Sequence, residues 1–266
     1  MSKTFFQFSV LVIIFLSSFW GLSRVDFMKH LHLQGISRKT ENKIGKIIID
    51  GLKKSNQEID DDSVAHVLDV IKNRLCTANA IPPGAITIHL IHNDQVNAFS
   101  LPGHHILIYT GLINHCDSVS ELCGVISHEM GHIQLNHVMK RLVNEIGITV
   151  LASVASNGNS QVVGKIIQIL SSSAFERKQE SDADAAGVRY LEHAHINPKG
   201  FVNIMLKFAD IQSEVPSEME WISSHPDSKK RAAIIQSLID TNSVNYVPVI
   251  DINDWQLLKD ASEDHN

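Results

Sequence analysis

Apolar residues recur three and four positions apart along most of the chain after residue 40, which predicts a mainly helical protein. The first such region covers residues 41–78, and the acidic sequence DDDS at 60–63 is predicted to start its second helix. Further helices are predicted at 118–142, 174–194, 198–211 and 227–240. Two apolar runs, at 146–155 and 162–170, are far shorter than the ~20 residues that span a bilayer. We expect them to pack on the core or to touch a membrane surface.

Two segments near the middle of the chain alternate apolar and polar side chains, as β-strands do. Residues 85–91 place Ile86, Ile88 and Leu90 on one face, and Thr87 and His89 on the other. Residues 106–113 (ILIYTGLI) are predicted as a second strand that runs into a turn, and the sequence between the two, NDQVNAFSLPGHH, as a loop. The pattern therefore indicates an α+β fold, mainly α, with a small β-sheet.

The N-terminal end is strongly apolar, and residues 4–23 contain no charged side chain. Such a segment is either a secretory signal peptide or a single membrane anchor. The bulky Phe19 and Trp20 stand beside the small-x-small sequence at 21–23, which favours the uncleaved anchor. We therefore expect an exported protein, periplasmic or anchored to a membrane by this segment, whose other residues lie outside the cytoplasm.

The pattern divides the chain into four parts. They are predicted to be a signal peptide or membrane anchor at 1–23, a linker at 24–40, a folded domain at 41–240 and a polar C-terminal tail at 241–266. The tail is acidic, and we expect it to be less ordered than the domain.

The composition argues against nucleic acid as a partner and is rich in histidine. The formal net charge is −6 and no Lys/Arg-rich block occurs, so nucleic acid is not expected as a partner. The 15 histidines favour metal and proton chemistry. Cys76, Cys116 and Cys123 form no C-x-x-C pair and are predicted to be buried free thiols, although one disulfide is open to them in an oxidising compartment.

The sequence VISHEMGHIQ (125–134) contains the pattern H-E-x-x-H. Positions i and i+4 lie on one face of a helix, so His128 and His132 can direct imidazole nitrogens at one zinc ion. Glu129 is then close enough to accept a proton from a water molecule at the metal without ligating it. The helix around it is apolar, as a buried site requires, and Gly131 lets another backbone come near. The alternative is a pair of histidines that make ordinary hydrogen bonds.

A catalytic zinc needs a third protein ligand. The metzincin arrangement is excluded, because it requires Gly and His where this chain has Leu135 and Val138. His137 is predicted to face away from the metal on the same helix. Glu180 and Asp184 lie four residues apart, so Glu180 can ligate the metal and Asp184 can accept the other ring N–H of a ligating histidine. The alternative is an ordinary solvated acidic face.

Four stretches, HEMGH, ESDAD, VNAFSLPGHHILIYTGLI (96–113) and SSHPDSKKR (223–231), together resemble the CAAX prenyl protease family of gluzincin zinc metallopeptidases. The resemblance implies a zincin-like metallopeptidase core over residues 41–240 and one Zn²⁺ ion per chain. It also implies that the metal ligands are His128, His132 and Glu180, and that Glu129 is the catalytic base.

The same resemblance implies roles for residues outside the metal ligands. The strand expected to pair with an extended substrate, as an edge strand does, comprises Ile106, Leu107, Ile108 and Tyr109. Asp184 would orient a ligating histidine, and Arg231 would position the loop that carries His225. His225 would either stabilise the oxyanion or occupy the open metal position and restrain activity, and the sequence leaves both open.

These observations favour a zinc-dependent metalloendopeptidase that hydrolyses unfolded or misassembled envelope proteins in protein quality control. The single apolar segment matches the soluble, exported branch of the family, and a mitochondrial inner-membrane location is the alternative. The alternative function is a zinc-binding chaperone or assembly factor with latent or weak proteolysis. A structural zinc site with four protein ligands is a third interpretation.

Overall fold

The computed structural model describes residues 37–54, 58–157, 160–172, 174–214, 220–240 and 245–263. The predicted apolar segment at 4–23, and the predicted linker as far as residue 36, lie outside these residues. Within the described ranges, no helix is both long and apolar enough to cross a membrane. The two short apolar runs form helices, at Ile148–Asn157 and Ser160–Ser172, as predicted.

Helices dominate the described part of the chain, which confirms the mainly α prediction. Those before the sheet are α1 (Arg38–Lys54) and α2 (Asp62–Ala78). Those that follow it are α3 (Thr110–His115), α4 (Val119–Gln134), α5 (His137–Ile146), α6 (Ile148–Asn157), α7 (Ser160–Ser172) and α8 (Arg177–His193). Those towards the C-terminal end are α9 (Lys199–Glu214), α10 (Glu220–Ser224), α11 (Ser228–Leu238) and α12 (Ile252–Glu263).

The sequence DDDS does start a helix, as predicted. The Asp61 carboxylate accepts hydrogen bonds from the backbone N–H of Ser63 at 2.8 Å and of Val64 at 3.1 Å, so it caps α2. A side-chain cap of this kind satisfies amides that the helix itself leaves unpaired, and it is worth about 1 kcal/mol.

The sheet has three strands: β1 (Thr87–Ile91), β2 (Ala98–Leu101) and β3 (His105–Tyr109). Their order is β1-β3-β2, with β1 parallel and β2 antiparallel to β3. The prediction missed β2, which lies in the segment assigned to a loop. Gly103 (φ 80°) and His104 (φ 65°) both adopt left-handed backbone conformations, and they turn the chain tightly from β2 into β3.

The position of β3 corrects the predicted edge strand. Its residues Ile106, Leu107 and Ile108 pair with β1 on one side and with β2 on the other, so β3 is the centre of the sheet. Its backbone groups are engaged on both sides, so β3 has no open edge for another strand. After Tyr109 the chain enters α3 rather than the predicted turn.

The core is built around α4, which is buried on all sides for most of its length. The helices α8 and α9 pack closely on it because glycines occupy the contacts. A Cβ on Gly124 would lie 2.7 Å from Cα of Phe201 in α9, and a Cβ on Gly131 would lie 3.0 Å from the carbonyl oxygen of Ala183 in α8. The close approach of another backbone that Gly131 predicted is confirmed. The three cysteines are buried in this core and free, also as predicted.

The helix predicted at 118–142 is divided into α4 and α5. Asn136 adopts a left-handed conformation (φ 57°, ψ 30°) between them, and this bends the chain before His137. The first residue of α5 therefore does not continue the rotation of α4, and its side chain points back to the end of α4.

The C-terminal tail corrects another expectation, because residues 252–263 form α12 and pack against α2 and α3. Leu258 is fully buried and Trp255 is 9% exposed. The Asp251 carboxylate caps the helix by accepting from the N–H groups of Asn253 and Asp254. The prediction of a less ordered tail was wrong for these residues, because two well-spaced apolar side chains outweigh the many acidic ones around them.

Candidate metal centre

Three separate segments bring four side chains that could hold a metal ion to one point. His128 and His132 come from successive turns of α4, Glu180 comes from the first turn of α8, and His225 comes from the connection between α10 and α11. One ligand atom from each lies within 4.8 Å of all the others. The three histidines are 0% exposed and Glu180 is 3% exposed, so the cluster lies entirely inside the protein.

The spacing of the ligand atoms suits a small tetrahedral cation. Nε2 of His128 lies 3.0 Å from Nε2 of His132 and 3.3 Å from Nδ1 of His225. Oε1 of Glu180 lies 3.4 Å from Nε2 of His132 and 3.0 Å from Nδ1 of His225. Zinc bonds nitrogen at about 2.0–2.1 Å, which separates tetrahedral ligand atoms by roughly 3.3 Å. Three imidazoles and one carboxylate form a donor set that zinc accepts.

The protonation states also fit a metal. Burial lowers the pKa of His128 to about 3, so its imidazole is neutral. Its Nδ1 lies 3.0 Å from Oδ1 of Asp184 and can donate a proton to it, which leaves Nε2 as a free lone pair towards the cluster. Burial would raise the pKa of Glu180, but the nearby His225 and Arg231 hold it well below its usual range. Glu180 is therefore an anion that faces the neutral imidazole of His128.

Arg231 ties the acidic residues of α8 in place. Its Nε and Nη2 donate to the two carboxylate oxygens of Asp184 at 2.9 and 2.6 Å, and its Nη1 lies 2.6 Å from Oε2 of Glu180. Burial opposes ionisation of Asp184, but the Arg231 guanidinium holds the pKa of that carboxyl at about 2. The arrangement links α11 to α8 and, through Asp184, to His128.

Glu129 lies beside the cluster without joining it. The hydroxyl of Ser100 in β2 donates to Oε2 of Glu129 at 2.6 Å, while Oε1 faces Nε2 of His225 at 3.5 Å. Neither Oε1 of Glu129 nor Nε2 of His225 has a hydrogen-bond partner among the residues that the structure describes. Burial raises the pKa of Glu129 to about 7, which is well matched to accepting and returning a proton near neutral pH.

Sequence reasoning missed several residues that contact this cluster. Nδ1 of His137 lies 3.1 Å from Nδ1 of His132, because the break before α5 turns His137 back instead of away. Phe175 stacks on His132 with ring centroids 4.0 Å apart, and Trp221 stacks on His225 at 4.1 Å. Ser100 lies in the stretch 96–113, one of the four that carry the family resemblance. This membership was the one sequence signal that pointed to Ser100.

The predicted substrate strand lies away from any open edge. β3 is central, and its residues Ile106 to Ile108 are at most 1% exposed. The strand that borders the cluster is β2, whose Ser100 touches Glu129. The helix α7 packs against β2, and Nδ2 of Asn97, just before the strand, donates to the carbonyl of Ser171 at 3.4 Å.

A helix that carries H-E-x-x-H, and whose two histidines lie beside a buried carboxylate from a second helix, has the metallopeptidase class of site. Comparison with known sequences identifies the family within this class. The model of peptidase family M48 matches residues 63–239, and the chain belongs to this family. The match covers the region over which the four motifs occur.

Several relatives of known name are similar to this chain. The beta-barrel assembly-enhancing protease of Yersinia pestis is 23% identical over 239 residues, which cover 80% of this chain and 48% of the relative. The mitochondrial metalloendopeptidase OMA1 of Arabidopsis thaliana is 29% identical over 55% of this chain and 30% of the relative. The metalloprotease LoiP of Escherichia coli is 29% identical over 56% of this chain and 61% of the relative. The chain thus spans less than two thirds of the length of each.

Proposed function

We propose that this chain is a zinc-dependent metalloendopeptidase with His128, His132 and Glu180 as metal ligands. The observation that carries the proposal is the convergence of these three side chains beside Glu129 in a fully buried cluster. The specific resemblance to the CAAX prenyl protease type rests on the four sequence motifs and is part of the proposal.

When bound, zinc supplies a Lewis acid that polarises the scissile carbonyl and makes water more acidic. Glu129 accepts a proton from the attacking water and then gives it to the leaving amine. Ser100 holds the Glu129 carboxylate in position through Oε2, so Oε1 is the oxygen that exchanges the proton. Asp184 fixes the tautomer of His128, and Arg231 holds Asp184.

His225 keeps the site closed in this conformation. Its Nδ1 lies within 4.8 Å of the ligand atoms of the other three residues, so it would be available as a further ligand to a bound metal. We propose that His225 is the fourth ligand of a latent state and withdraws when substrate binds. This choice between its two roles rests on Nδ1 lying 3.0 Å from Glu180.

The substrate strand is proposed to pair with β2 instead of β3. β2 is the sheet edge next to Glu129, and strand addition to an edge gives main-chain affinity with little demand on sequence. Every residue of β2 is buried and α7 packs against it, so we propose that α7 moves when a substrate pairs with this strand. Such a site suits an extended, unfolded polypeptide more than a folded surface.

The setting of this activity is proposed from the N-terminal segment and from the names of relatives. An apolar segment at 4–23 suits an exported chain, periplasmic or anchored to a membrane. One relative is named for assembly of β-barrels, which favours unfolded or misassembled envelope proteins as substrates and a role in protein quality control. Because other relatives are named as mitochondrial, the mitochondrial inner membrane is the alternative location.

The experiment compares turnover of unfolded casein by the zinc-loaded wild type and Glu129→Gln. Loss of a positioned base lowers turnover by about 10²–10⁴-fold, while zinc content stays at one ion per chain because Glu129 is not a ligand. Glu263→Gln, at the end of α12, controls for removal of one carboxylate. Undiminished cleavage by Glu129→Gln would refute the mechanism.

The closed site favours one second candidate, a zinc-binding chaperone or assembly factor with latent proteolysis. All four members of the cluster are buried and His225 fills the cluster. This function predicts that Glu129→Gln still suppresses aggregation of unfolded casein as well as wild type does, and that neither protein cleaves it.

A further inference from the structure

Arg141 in α5 is a buried cation whose guanidinium makes no hydrogen bond to the described residues. Its side chain belongs to a residue that is 5% exposed, and Nε, Nη1 and Nη2 have no hydrogen-bond partner within the described ranges of the chain. The guanidinium carbon lies 4.3 Å from the centre of the Phe175 ring. This cation–π contact stabilises the charge but satisfies none of its N–H donors.

Arg231 is a second buried arginine with which Arg141 can be compared. It is also 5% exposed, but it makes a bidentate contact with Asp184 and an ion pair with Glu180. A structural arginine in a protein interior is normally paired in this way, because an unpaired buried charge loses its hydration without compensation. Arg141 has the burial of Arg231 without its partners.

No carboxylate in the described residues forms an ion pair with Arg141, although Glu145, Glu180 and Glu129 lie near enough to raise its pKa. Glu145, one turn further along α5, is exposed, Glu180 is engaged by Arg231, and Glu129 is engaged by Ser100. Burial lowers the pKa of Arg141 to about 10, so the side chain still carries its charge at neutral pH. Its three nitrogens are donors in need of an acceptor that the described residues do not supply.

Arg141 lies next to the metal centre. Phe175, which contacts the guanidinium, also stacks on His132 at 4.0 Å and lies 5.6 Å from His225. The same helix begins with His137, whose ring nitrogen is 3.1 Å from His132. One aromatic ring therefore connects the unpaired cation to two members of the cluster at which a substrate would be cleaved.

We propose that Arg141 is a specificity-determining residue that binds a carboxylate of the polypeptide substrate close to the scissile bond. The inference rests on the proposed peptidase function. The carboxylate is either an Asp or Glu side chain or the C-terminal carboxylate of the chain being cut. The planar guanidinium presents paired N–H donors that match both oxygens of either group.

The test measures binding of four fluorescein-labelled decapeptides to zinc-loaded Glu129→Gln, in which slow cleavage does not disturb the measurement. The peptides share one sequence and differ at three internal positions, Glu or Gln, and at the C-terminus, free acid or amide. We expect about 10- to 100-fold tighter binding of the carboxylate form, as charge-assisted pairs give. A Glu/Gln difference identifies the side chain as the ligand, and an acid/amide difference identifies the terminus.

Arg141→Met in the same background should abolish this preference, and Arg141→Lys should retain part of it. Arg189→Met, which removes an exposed arginine of α8, is the matched control and should leave the preference unchanged. Equal affinities for all four peptides, or a preference that survives Arg141→Met, would overturn the proposal.

Two further measurements separate a substrate contact from a structural role. Arg141→Met keeps the aliphatic bulk and removes an unpaired buried charge, so its melting temperature should equal or exceed that of the wild type. With Glu129 restored, it should cleave the Gln amide peptide with unchanged kcat and show a raised KM only for the preferred carboxylate peptide. If the wild type cleaves none of the peptides, the peptidase function fails, whereas the affinity comparison still decides the carboxylate site.

Discussion

His225 is the residue whose geometry bears most directly on activity. Its imidazole is fully buried, stacked on Trp221 and placed among the predicted ligand atoms. A ligand that must leave before substrate enters reduces the competent fraction of the protein, and this reduction appears directly in the observed rate.

We therefore expect His225→Ala to raise casein turnover roughly tenfold, equivalent to shifting the closed–open equilibrium by about 1.4 kcal/mol. Turnover and zinc content are measured together. His66→Ala, an exposed histidine on α2, is the control and should change neither. A fall in turnover with zinc retained would contradict the latent state and assign His225 to the oxyanion instead.

At the level of single residues, the sequence predicts those contacts that depend only on local helix geometry. His128 and His132 share a face through their i, i+4 spacing, as do Glu180 and Asp184, and the structure brings all four side chains together. Ser100, His137 and Arg141 could not be found in this way. Their positions depend on a tight turn, on a helix break and on the packing of Phe175, and none of these follows from residue spacing.

The contact between α4 and α8 carries the metal centre at the level of elements. One helix supplies two histidines and the other supplies Glu180, and Gly131 and Gly187 let the helices approach. A Cβ at Gly187 would lie 3.3 Å from the backbone nitrogen of His128. The distance between these helix axes therefore sets the distance between the ligands.

Gly131→Val should lower the free energy of unfolding by about 1–3 kcal/mol, because the new side chain overlaps the backbone of Ala183. It should also weaken zinc binding, because α8 carries Glu180 away from His132. Urea denaturation and zinc titration measure the two effects. Gly164→Val in α7 is the matched control, since a Cβ there meets nothing within 4 Å. Equal stability of the two variants would show that the contact is not tight.

Helices and strands could be predicted where the apolar pattern continued over many residues. The helices α8, α9 and α11 lie where the pattern placed them, whereas β2 and α12 were missed. β2 has four residues, all buried, so it shows no alternation of exposed and buried positions. α12 buries Trp255 and Leu258 among many polar neighbours, and its stability comes from packing against α2 and α3.

For the whole molecule, the metal centre concentrates polar groups at the middle of an apolar core. The four side chains that could hold the metal are buried, as are Val125 and Met130 of α4 and Phe201 of α9. A cation bound there stabilises the folded state alone, because the unfolded chain does not assemble the four ligands.

Chelation of zinc should therefore lower the melting temperature. At a zinc concentration about 1,000-fold above Kd the metal contributes about 4 kcal/mol, which corresponds to roughly 8–16 °C for a domain of this size. Scanning calorimetry with and without a chelator measures the shift. A His128→Ala/His132→Ala variant should melt at one temperature in both conditions, and an equal chelator effect on this variant would place the stabilising metal elsewhere.

The three cysteines of the core have a practical consequence. Cys76, Cys116 and Cys123 are 0% exposed, and burial raises the pKa of all three thiols, that of Cys123 to about 12. A thiolate is the reactive form, so alkylating dyes should not label the native protein. Labelling begins only when the core opens, and with excess dye its rate equals the rate of opening. The rate at which the unmodified chain is labelled therefore reports the lifetime of its native state.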